Sequence, residues 1–140
     1  MKFRNIVSGL FIVTVIGIIS GCETDQKTML TDGVWNFENM TSDSEDETTQ
    51  SLVFLASALM TESTMEFKSD GTYLNTSPLM DAPVSGTWSL IGDDQLILTP
   101  EGEVASTANI EVLSKSELKY IETSVDLSQN TYTLTTSWSK

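Results

Sequence analysis

Histidine is absent from this chain of 140 residues, and cysteine occurs only once, as Cys22. Without histidine, serine–histidine and cysteine–histidine catalysis and histidine-ligated zinc sites are excluded. A single cysteine rules out an internal disulfide. The one arginine, Arg4, stands near the start, so the rest of the chain has no guanidinium to bind a phosphate in bidentate fashion. These absences remove most common routes to catalysis.

Positive charge is scarce as well. Lysine and arginine together number 7 against 20 acidic residues, which gives a formal net charge of −13. A surface this negative repels nucleic acid, so we expect no nucleic-acid partner. The acidic pairs Asp93–Asp94 and Glu101–Glu103 lie in turn-like segments, where carboxylates serve solubility. A glycosidase-type carboxylate pair assembled in space stays open as an alternative. Otherwise the composition favours a non-enzymatic protein without cofactor or metal.

Residues 1–21 have the order of a secretory signal peptide. Lys2 and Arg4 precede an apolar run from Ile6 to Ile19, and small residues follow. The run is shorter than the roughly 20 apolar residues that a membrane-spanning helix needs. The pattern therefore predicts export, either as an ordinary secreted protein with an isolated cysteine or in the lipidated form that the next residues indicate.

The residues Ile-Ser-Gly-Cys at 19–22 resemble the lipobox of bacterial lipoproteins. The resemblance implies cleavage after Gly21, a diacylglyceryl group on the thiol of Cys22 and acylation of the new amino terminus. Several acyl chains, each contributing about 0.8 kcal/mol per buried methylene, make a stable membrane anchor. Glutamate at position 23, where an aspartate favours inner-membrane retention, implies a place in the cell envelope at the outer rather than the inner membrane.

The chain beyond the anchor is predicted to be a polar, extended tether at 22–30 and one domain at 31–140. In that domain, apolar and polar residues alternate with period two between turn residues, which is typical of β-strands. Eight strands are predicted, at 34–40, 64–68, 72–76, 84–90, 95–99, 107–113, 117–123 and 131–138. We expect an all-β fold, an eight-stranded antiparallel up-and-down barrel, because closure removes exposed strand edges. A β-sandwich is the alternative.

Residues 41–61 interrupt the alternation. The acidic stretch 41–48 lacks the D-x-D-x-D-G spacing of a calcium loop, so we interpret it as a solvated, flexible loop. Its charge suits the positive end of a following helix. Apolar residues at helical spacing in 49–61 predict one short helix between the first two strands. That helix is either ordinary core or a lid, with Leu55 and Leu59 covering one mouth of the barrel.

Three motifs resemble the lipocalin-like domains of secreted bacterial lipoproteins: D-G-V-W-N-F at 32–37, S-D-G-T-Y at 69–73 and S-G-T-W-S-L-I-G-D-D-Q-L-I-L at 85–98. The resemblance implies a barrel whose long first loop gates the open end. In true lipocalins an arginine of the last strand lies over the tryptophan of the G-x-W motif, here Trp35. No arginine is available for that place in this chain.

Two functions remain open at this point. The first is a module that binds a small apolar or amphiphilic molecule inside the barrel. Its candidate lining residues are the inward aromatic side chains Trp35, Phe37, Phe67, Tyr73, Trp88, Tyr120 and Tyr132. The second is a structural or interaction lipoprotein with a solid core, because the same rings suffice to fill a small barrel. The predicted partner is the membrane, reached through the lipid anchor, and the pattern names no protein partner.

Overall fold

The computed structural model describes residues 22–140, with side chains from Gln26 onward. Two helices and eight strands follow one another: α1 Cys22–Thr31, β1 Val34–Ser42, α2 Glu47–Leu59, β2 Thr64–Phe67, β3 Thr72–Thr76, β4 Val84–Ile91, β5 Gln95–Pro100, β6 Ser106–Leu113, β7 Glu117–Val125 and β8 Thr131–Ser139. Neither of these helices is long and apolar enough to cross a membrane. The predicted signal peptide lies outside the described residues.

The strands form a single closed sheet. Each pairs antiparallel with its neighbours in the chain, and β8 returns to pair with β1. The prediction of an eight-stranded up-and-down barrel with a short helix between the first two strands is confirmed, and the sandwich alternative is excluded. Every strand has a partner on both sides, which closes the sheet, although the short β2 pairs with only the first three residues of β1.

The two ends of the barrel differ in how they are covered. At one end, the closed end, α1 lies near the three tight turns at 68–71, 92–94 and 114–116. Gln26 Nε2 in α1 donates a hydrogen bond of 2.7 Å to the Asp93 carbonyl in one of these turns. At the other end, the open end, lie α2 with its flanking loops and the connections at 77–83, 101–105 and 126–130.

Residues 22–31 form a helix, which corrects the prediction of an extended tether. The side chain of Leu30 is completely buried in the barrel core, and its carbonyl accepts a 3.0 Å hydrogen bond from Trp35 Nε1. A polar segment with one buried apolar side chain carries almost no helical periodicity, so its conformation depends on the surface against which it packs. The folded domain therefore includes α1.

Side chains fill the closed half of the barrel. The ring of Phe67 meets that of Trp88 edge to face with centroids 5.5 Å apart, and Phe37 meets Trp138 in the same way at 5.4 Å. The buried core comprises Leu30, Trp35, Met65, Phe67, Tyr73, Trp88, Leu96, Leu98, Ala108, Leu118, Tyr120 and Trp138. This part of the barrel interior is thus a packed core.

Two β-bulges change which residues face inward. One lies between Phe37 and Asn39, and the other between Ile110 and Val112. An inserted residue shifts the period-two alternation of one strand by one position. Uninterrupted alternation from Ala108 and Ile110 would place Val112 inward, but Val112 pairs with the outward Lys119, and Leu113 packs against the core instead.

Candidate functional site

The part of β1 beyond Asn36 has no strand paired with it on the side of β2. β2 pairs only with residues Val34–Asn36 of β1, and α2 packs against β1 beyond that point. The backbone N–H of Met40, which a longer β2 would have engaged, donates a 3.0 Å hydrogen bond to Ser57 Oγ of α2. The helix therefore takes the place of a strand in the barrel wall at the open end.

The start of α2 is fixed by its own cap. Asp46 is the N-cap, and its carboxylate accepts a 2.7 Å hydrogen bond from the Thr49 backbone N–H. Hydrogen bonds from Thr49 hold the pKa of Asp46 below its ordinary value, which matches the role predicted for negative charge at this helix end. Gln50 Nε2 donates to the Ser44 carbonyl at 2.7 Å, which adds a second tie in the first turn.

The acidic loop before α2 is also tied to the far side of the open end. Ser44 Oγ donates to the buried carboxylate of Asp126 at 3.2 Å, in the turn between β7 and β8. The Thr133 N–H donates to Asp43 Oδ1 at 2.5 Å, and the Asp43 N–H donates to the Thr133 carbonyl at 3.2 Å. The acidic stretch 41–48 was predicted to be a solvated, flexible loop. In the structure these hydrogen bonds hold it against β8 and the turn before β8. Across residues 22–140, no group of three or more acidic or cysteine side chains is placed to hold a metal ion.

A pocket of about 310 Å³, here called the mouth pocket, opens between α2 and the barrel. It is lined by Met40, Thr49, Leu52, Val53, Ala56, Val125, Asp126, Leu127, Tyr132 and Leu134. Leu134 and Tyr132 share a strand face with the buried Thr136 and Trp138, and Met40 pairs with Thr136. That face is the interior of the barrel. The helix α2 therefore covers the open end of the interior, and the side of the helix that faces the pocket is largely apolar.

The covering face of α2 differs from the predicted one. Thr49 and Val53 are buried beneath the helix, whereas Leu55 is 53% exposed and Leu59 is 44% exposed. The two residues that the sequence suggested as the lid surface therefore lie on the solvent side. Both stripes have apolar residues at helical spacing, so periodicity alone did not distinguish the packed stripe from the free one.

A carboxylate faces the interior just beside the mouth pocket. Glu122 lies on the same face of β7 as the buried Leu118 and Tyr120, and it is directly opposite Leu134 in the β7–β8 ladder. Burial raises the pKa of Glu122 above its ordinary value, opposed in part by a hydrogen bond from Ser106. No role was predicted for this side chain, although extending the alternation of Leu118 and Tyr120 by two residues places it on the interior face.

Further polar side chains share the barrel interior with Glu122. The pKa of the buried Tyr120 is raised, first by burial and then by the charge of Glu122, and Tyr73 of β3 acts on it in the same direction. The two tyrosines are therefore near each other in the interior. Asn75 lies two residues beyond Tyr73 toward the open end, and its Oδ1 is buried without a hydrogen-bond partner among the described residues. The open half of the interior thus combines acceptor groups with an apolar roof.

The seven aromatic residues suggested as ligand-lining occupy different places. Tyr132 lines the mouth pocket. Phe37 is partly buried against Trp138. The others belong to the packed core: Trp35, Phe67, Tyr73, Trp88 and Tyr120.

A larger cleft of about 540 Å³ lies at the closed end, between α1, the β2–β3 turn and one edge of Trp88. Its lining residues are Lys27, Thr28, Thr31, Ser69, Gly71, Trp88, Ser89 and Leu90. The mouth pocket is the stronger candidate, because ligand sites combine apolar walls with a few convergent polar groups.

A lysine occupies the place over Trp35 for which no arginine was available. Lys140 Nζ lies 4.1 Å from the centroid of the Trp35 ring and donates a 2.7 Å hydrogen bond to the Met29 carbonyl of α1. Burial lowers the pKa of Lys140, and the nearby Asp32 carboxylate opposes that shift. The cation therefore joins the last strand, the first strand and α1 at the closed end.

Comparison with known proteins places this architecture in a family. The family model of the lipocalin-like domain matches residues 31–120. A crystal structure of a DUF4847 family protein from Bacteroides vulgatus ATCC 8482 is similar in fold, with a TM-score of 0.50 and 12% identity over 79% of this chain and 95% of that chain. Bovine odorant binding protein in complex with a selenium-containing odorant gives a TM-score of 0.45 and 17% identity, over 81% of this chain and 71% of that one.

No curated protein matches the sequence. The likenesses to solved structures concern the fold alone. The family match extends from the end of α1 into β7 and so covers more than half of the sequence. On that match, the chain belongs to the family of lipocalin-like domains.

Proposed function

We propose that this protein is a lipid-anchored binding protein of the bacterial cell envelope that holds a small apolar or amphiphilic molecule in the mouth pocket. The observation that carries the proposal is the pocket itself, an open depression of about 310 Å³ lined by apolar side chains of α2, β1 and β8, one of which, Leu134, pairs with the interior Glu122. That volume is at the lower limit of small-molecule sites, which are typically about 300–1,000 Å³.

The packed closed half restricts where a ligand fits. The rings of Trp35, Phe67 and Trp138 are nearly or completely buried, so a ligand cannot descend to them without displacing core side chains. It is held at the open half, beneath α2. Because hydrogen bonds tie the loop before α2 to the β7–β8 turn, we expect a ligand to enter farther along the helix than these bonds. The exposed Leu52 and Leu127 flank this opening.

The anchor is supported by the lipobox-like residues and by the position of α1. This helix begins at Cys22 and packs against the closed end. Acyl chains on Cys22 would hold the closed end near the membrane and leave the mouth pocket facing away from it. Glutamate at position 23 supports the outer membrane as the site of attachment. The ligand is then taken from, or released to, the aqueous side.

A pair of matched substitutions tests the binding site. Ala56 lines the mouth pocket, whereas Ala58 is exposed on the same helix. We expect Ala56→Trp to weaken the binding of Nile red, a neutral apolar fluorescent probe, at least tenfold, while Ala58→Trp leaves it unchanged. Residues 22–140 with Cys22→Ser, which contain the whole barrel, serve as the parent. Equal effects of the two substitutions, or no probe binding by the parent, would contradict the proposal.

A solid structural lipoprotein is the second candidate, because the closed half is fully packed and Phe54 is 77% exposed on the outer side of α2. The two candidates differ in what co-purifies with the protein. Native mass spectrometry of the purified domain should reveal a bound small molecule if the mouth pocket is a ligand site. A protein partner retained by an intact domain that binds no small molecule would favour the structural role.

A further inference from the structure

We infer that the molecule bound in the mouth pocket carries a positively charged amine at one end of an apolar body, with the amine directed at Glu122. The inference rests on the proposed function and specifies its ligand class. Three independent features of the described residues support it: an unpaired interior carboxylate, a set of acceptors around it, and the distribution of charge between the two ends of the barrel.

The carboxylate of Glu122 lacks a positive partner. The ion pair found in the described part of the chain joins Lys119 Nζ to Glu111 Oε2 at 3.4 Å, on the outer face of β6 and β7. A partly buried charge without a counter-charge is unfavourable, and burial accordingly raises the pKa of Glu122. A cationic group on a ligand would supply the missing charge. Glu122 does not line the mouth pocket itself, but it pairs directly with Leu134, which does, so it lies in the interior next to that wall.

The groups around Glu122 are suited to receive hydrogen-bond donors. Tyr120 on the same strand, Tyr73 and Asn75 from β3, Thr136 from β8 and Ser106 from β6 share the interior face, and none of them is positively charged. Asn75 Oδ1 is buried with no partner among the described residues. An ammonium group has three donors and no acceptor, which suits an interior whose available groups include a carboxylate and a free amide oxygen.

Charge is distributed unevenly along the barrel axis. Within residues 22–140, every lysine lies in the closed half: Lys27, Lys68, Lys115, Lys119 and Lys140. The connections at the open end carry only acidic charge, from Asp43, Glu45, Asp46, Glu47, Glu62, Asp81, Glu101, Glu103 and Asp126. A mouth ringed by one sign of charge attracts cations and repels anions. The open end therefore selects against fatty acids and other carboxylate amphiphiles.

The apolar walls of the mouth pocket determine what kind of body the ligand has. Leu52, Val53 and Ala56 of α2 face Met40 and Leu134 across the pocket, and no charged side chain other than Asp126 lines it. Asp126 is engaged by Ser44 Oγ and by the N–H groups of Ser128 and Asn130, so its carboxylate is already satisfied. An alkyl or aromatic body fits between these walls, while its amine reaches Glu122.

Three probes with the same ten-carbon chain separate the contributions: decylammonium, decanol and decanoate. Isothermal titration calorimetry on residues 22–140 with Cys22→Ser should show decylammonium binding at least tenfold more tightly than decanol, with decanoate weakest. We expect Glu122→Gln to weaken decylammonium about tenfold and to leave decanol unchanged, because it removes one charge-assisted hydrogen bond. Glu117→Gln, an exposed residue at the closed end of the same strand, removes the same charge and should change none of the three.

The outcomes distinguish the inference from the proposed function. Decanol bound as tightly as decylammonium would overturn the amine specificity and leave the apolar site standing. Tighter binding of decanoate than of decylammonium would likewise overturn the amine specificity and leave the apolar site standing. Failure of all three probes to bind would overturn both proposals. The ranking of probes on the parent protein decides the question even if Glu122→Gln does not fold. Salt offers a second readout, because raising ionic strength should weaken decylammonium and leave decanol unaffected.

Discussion

Lys140 Nζ lies 4.1 Å from the centre of the Trp35 ring, so the residue that follows β8 covers a core side chain of β1. The same ammonium binds the Met29 carbonyl, and the Trp35 indole N–H binds the Leu30 carbonyl. These contacts join α1, β1 and the end of β8 at the closed end. A lysine here provides the cation–aromatic contact that the family resemblance assigned to arginine.

Replacing that cation should weaken the closed end. Lys140→Met keeps the apolar stem but loses the cation–aromatic contact, about 0.5–2 kcal/mol, and a hydrogen bond of about 1 kcal/mol. We expect the free energy of unfolding to fall by about 1–2 kcal/mol, measured by urea denaturation. Lys140→Arg should retain most of it. Lys115→Met, in the exposed β6–β7 turn, is the control. A loss of equal size there would assign the effect to net charge.

A second prediction concerns Trp88, on the interior face of β4. Trp88 is buried, packs edge to face on Phe67 and donates a 2.9 Å hydrogen bond from Nε1 to the Lys68 carbonyl. Trp88→Ala should reduce the free energy of unfolding by roughly 3–5 kcal/mol, because it leaves a cavity. The exposed Ser89→Ala should change it by less than about 0.5 kcal/mol. Thermal and chemical denaturation of both variants provide the comparison, and similar losses would contradict the assigned faces.

The two stripes of α2 should respond differently to polar substitution. Val53 is buried against β1 and the mouth pocket, so Val53→Ser should lower the free energy of unfolding by about 2 kcal/mol and weaken Nile red binding. Leu55→Ser combined with Leu59→Ser should leave both quantities nearly unchanged, because those side chains are exposed. Cooperative melting of the double variant at a much lower temperature would show that this outer stripe packs in solution.

The interior carboxylate makes stability depend on pH. Burial raises the pKa of Glu122 in the folded state above its ordinary value. At pH below the ordinary value, the group is neutral in both states and carries no penalty. As the pH rises through the folded-state pKa, the unfolded state loses its proton first, so the free energy of unfolding falls. Glu122→Gln should therefore be more stable than the parent at pH 7, with the difference vanishing in acid. A difference independent of pH would contradict this assignment.

The anchor is tested at Cys22. Cys22→Ser in the full chain should abolish attachment of acyl groups and release the protein from the membrane fraction, because the thiol is the site of diacylglyceryl transfer in the proposal. Mass spectrometry of the amino-terminal peptide and fractionation of the cells provide the readout. A substituted protein that is still cleaved, acylated and found in membranes would contradict lipidation at this residue.

Much of the barrel could be predicted because strand faces are a local property. In β4, the alternation of Trp88 with Ser89 is visible in adjacent residues, and the turn at Gly92 marks where the strand ends. Gly86 shows the same logic. A side chain there would meet the Tyr73 ring at 2.6 Å and clash with the Thr99 carbonyl, so the close approach of β3 and β5 requires a glycine in an otherwise regular strand.

The candidate site was harder to predict from the sequence, because the residues that form it are distant from one another along the chain. Glu122, Leu134 and Val53 come from three elements, and the choice between the two apolar stripes of α2 depended on the missing upper part of β2. The bulge between Ile110 and Val112 left no mark in the residue pattern, although it reversed the two faces of β6 beyond that point.

The sequence by itself determined the strand pattern, the acidic composition and the resemblance of residues 19–22 to a lipobox, since each depends on neighbouring residues or on composition. Only the tertiary structure decided that α1 is a helix on the closed end, that Lys140 covers Trp35, and that Glu122 faces the interior below α2. Barrel closure brings the last strand beside the first and collects side chains from all eight strands into one interior. Contacts made by closure depend on register and on bulges, and neither is encoded in the local alternation of residues.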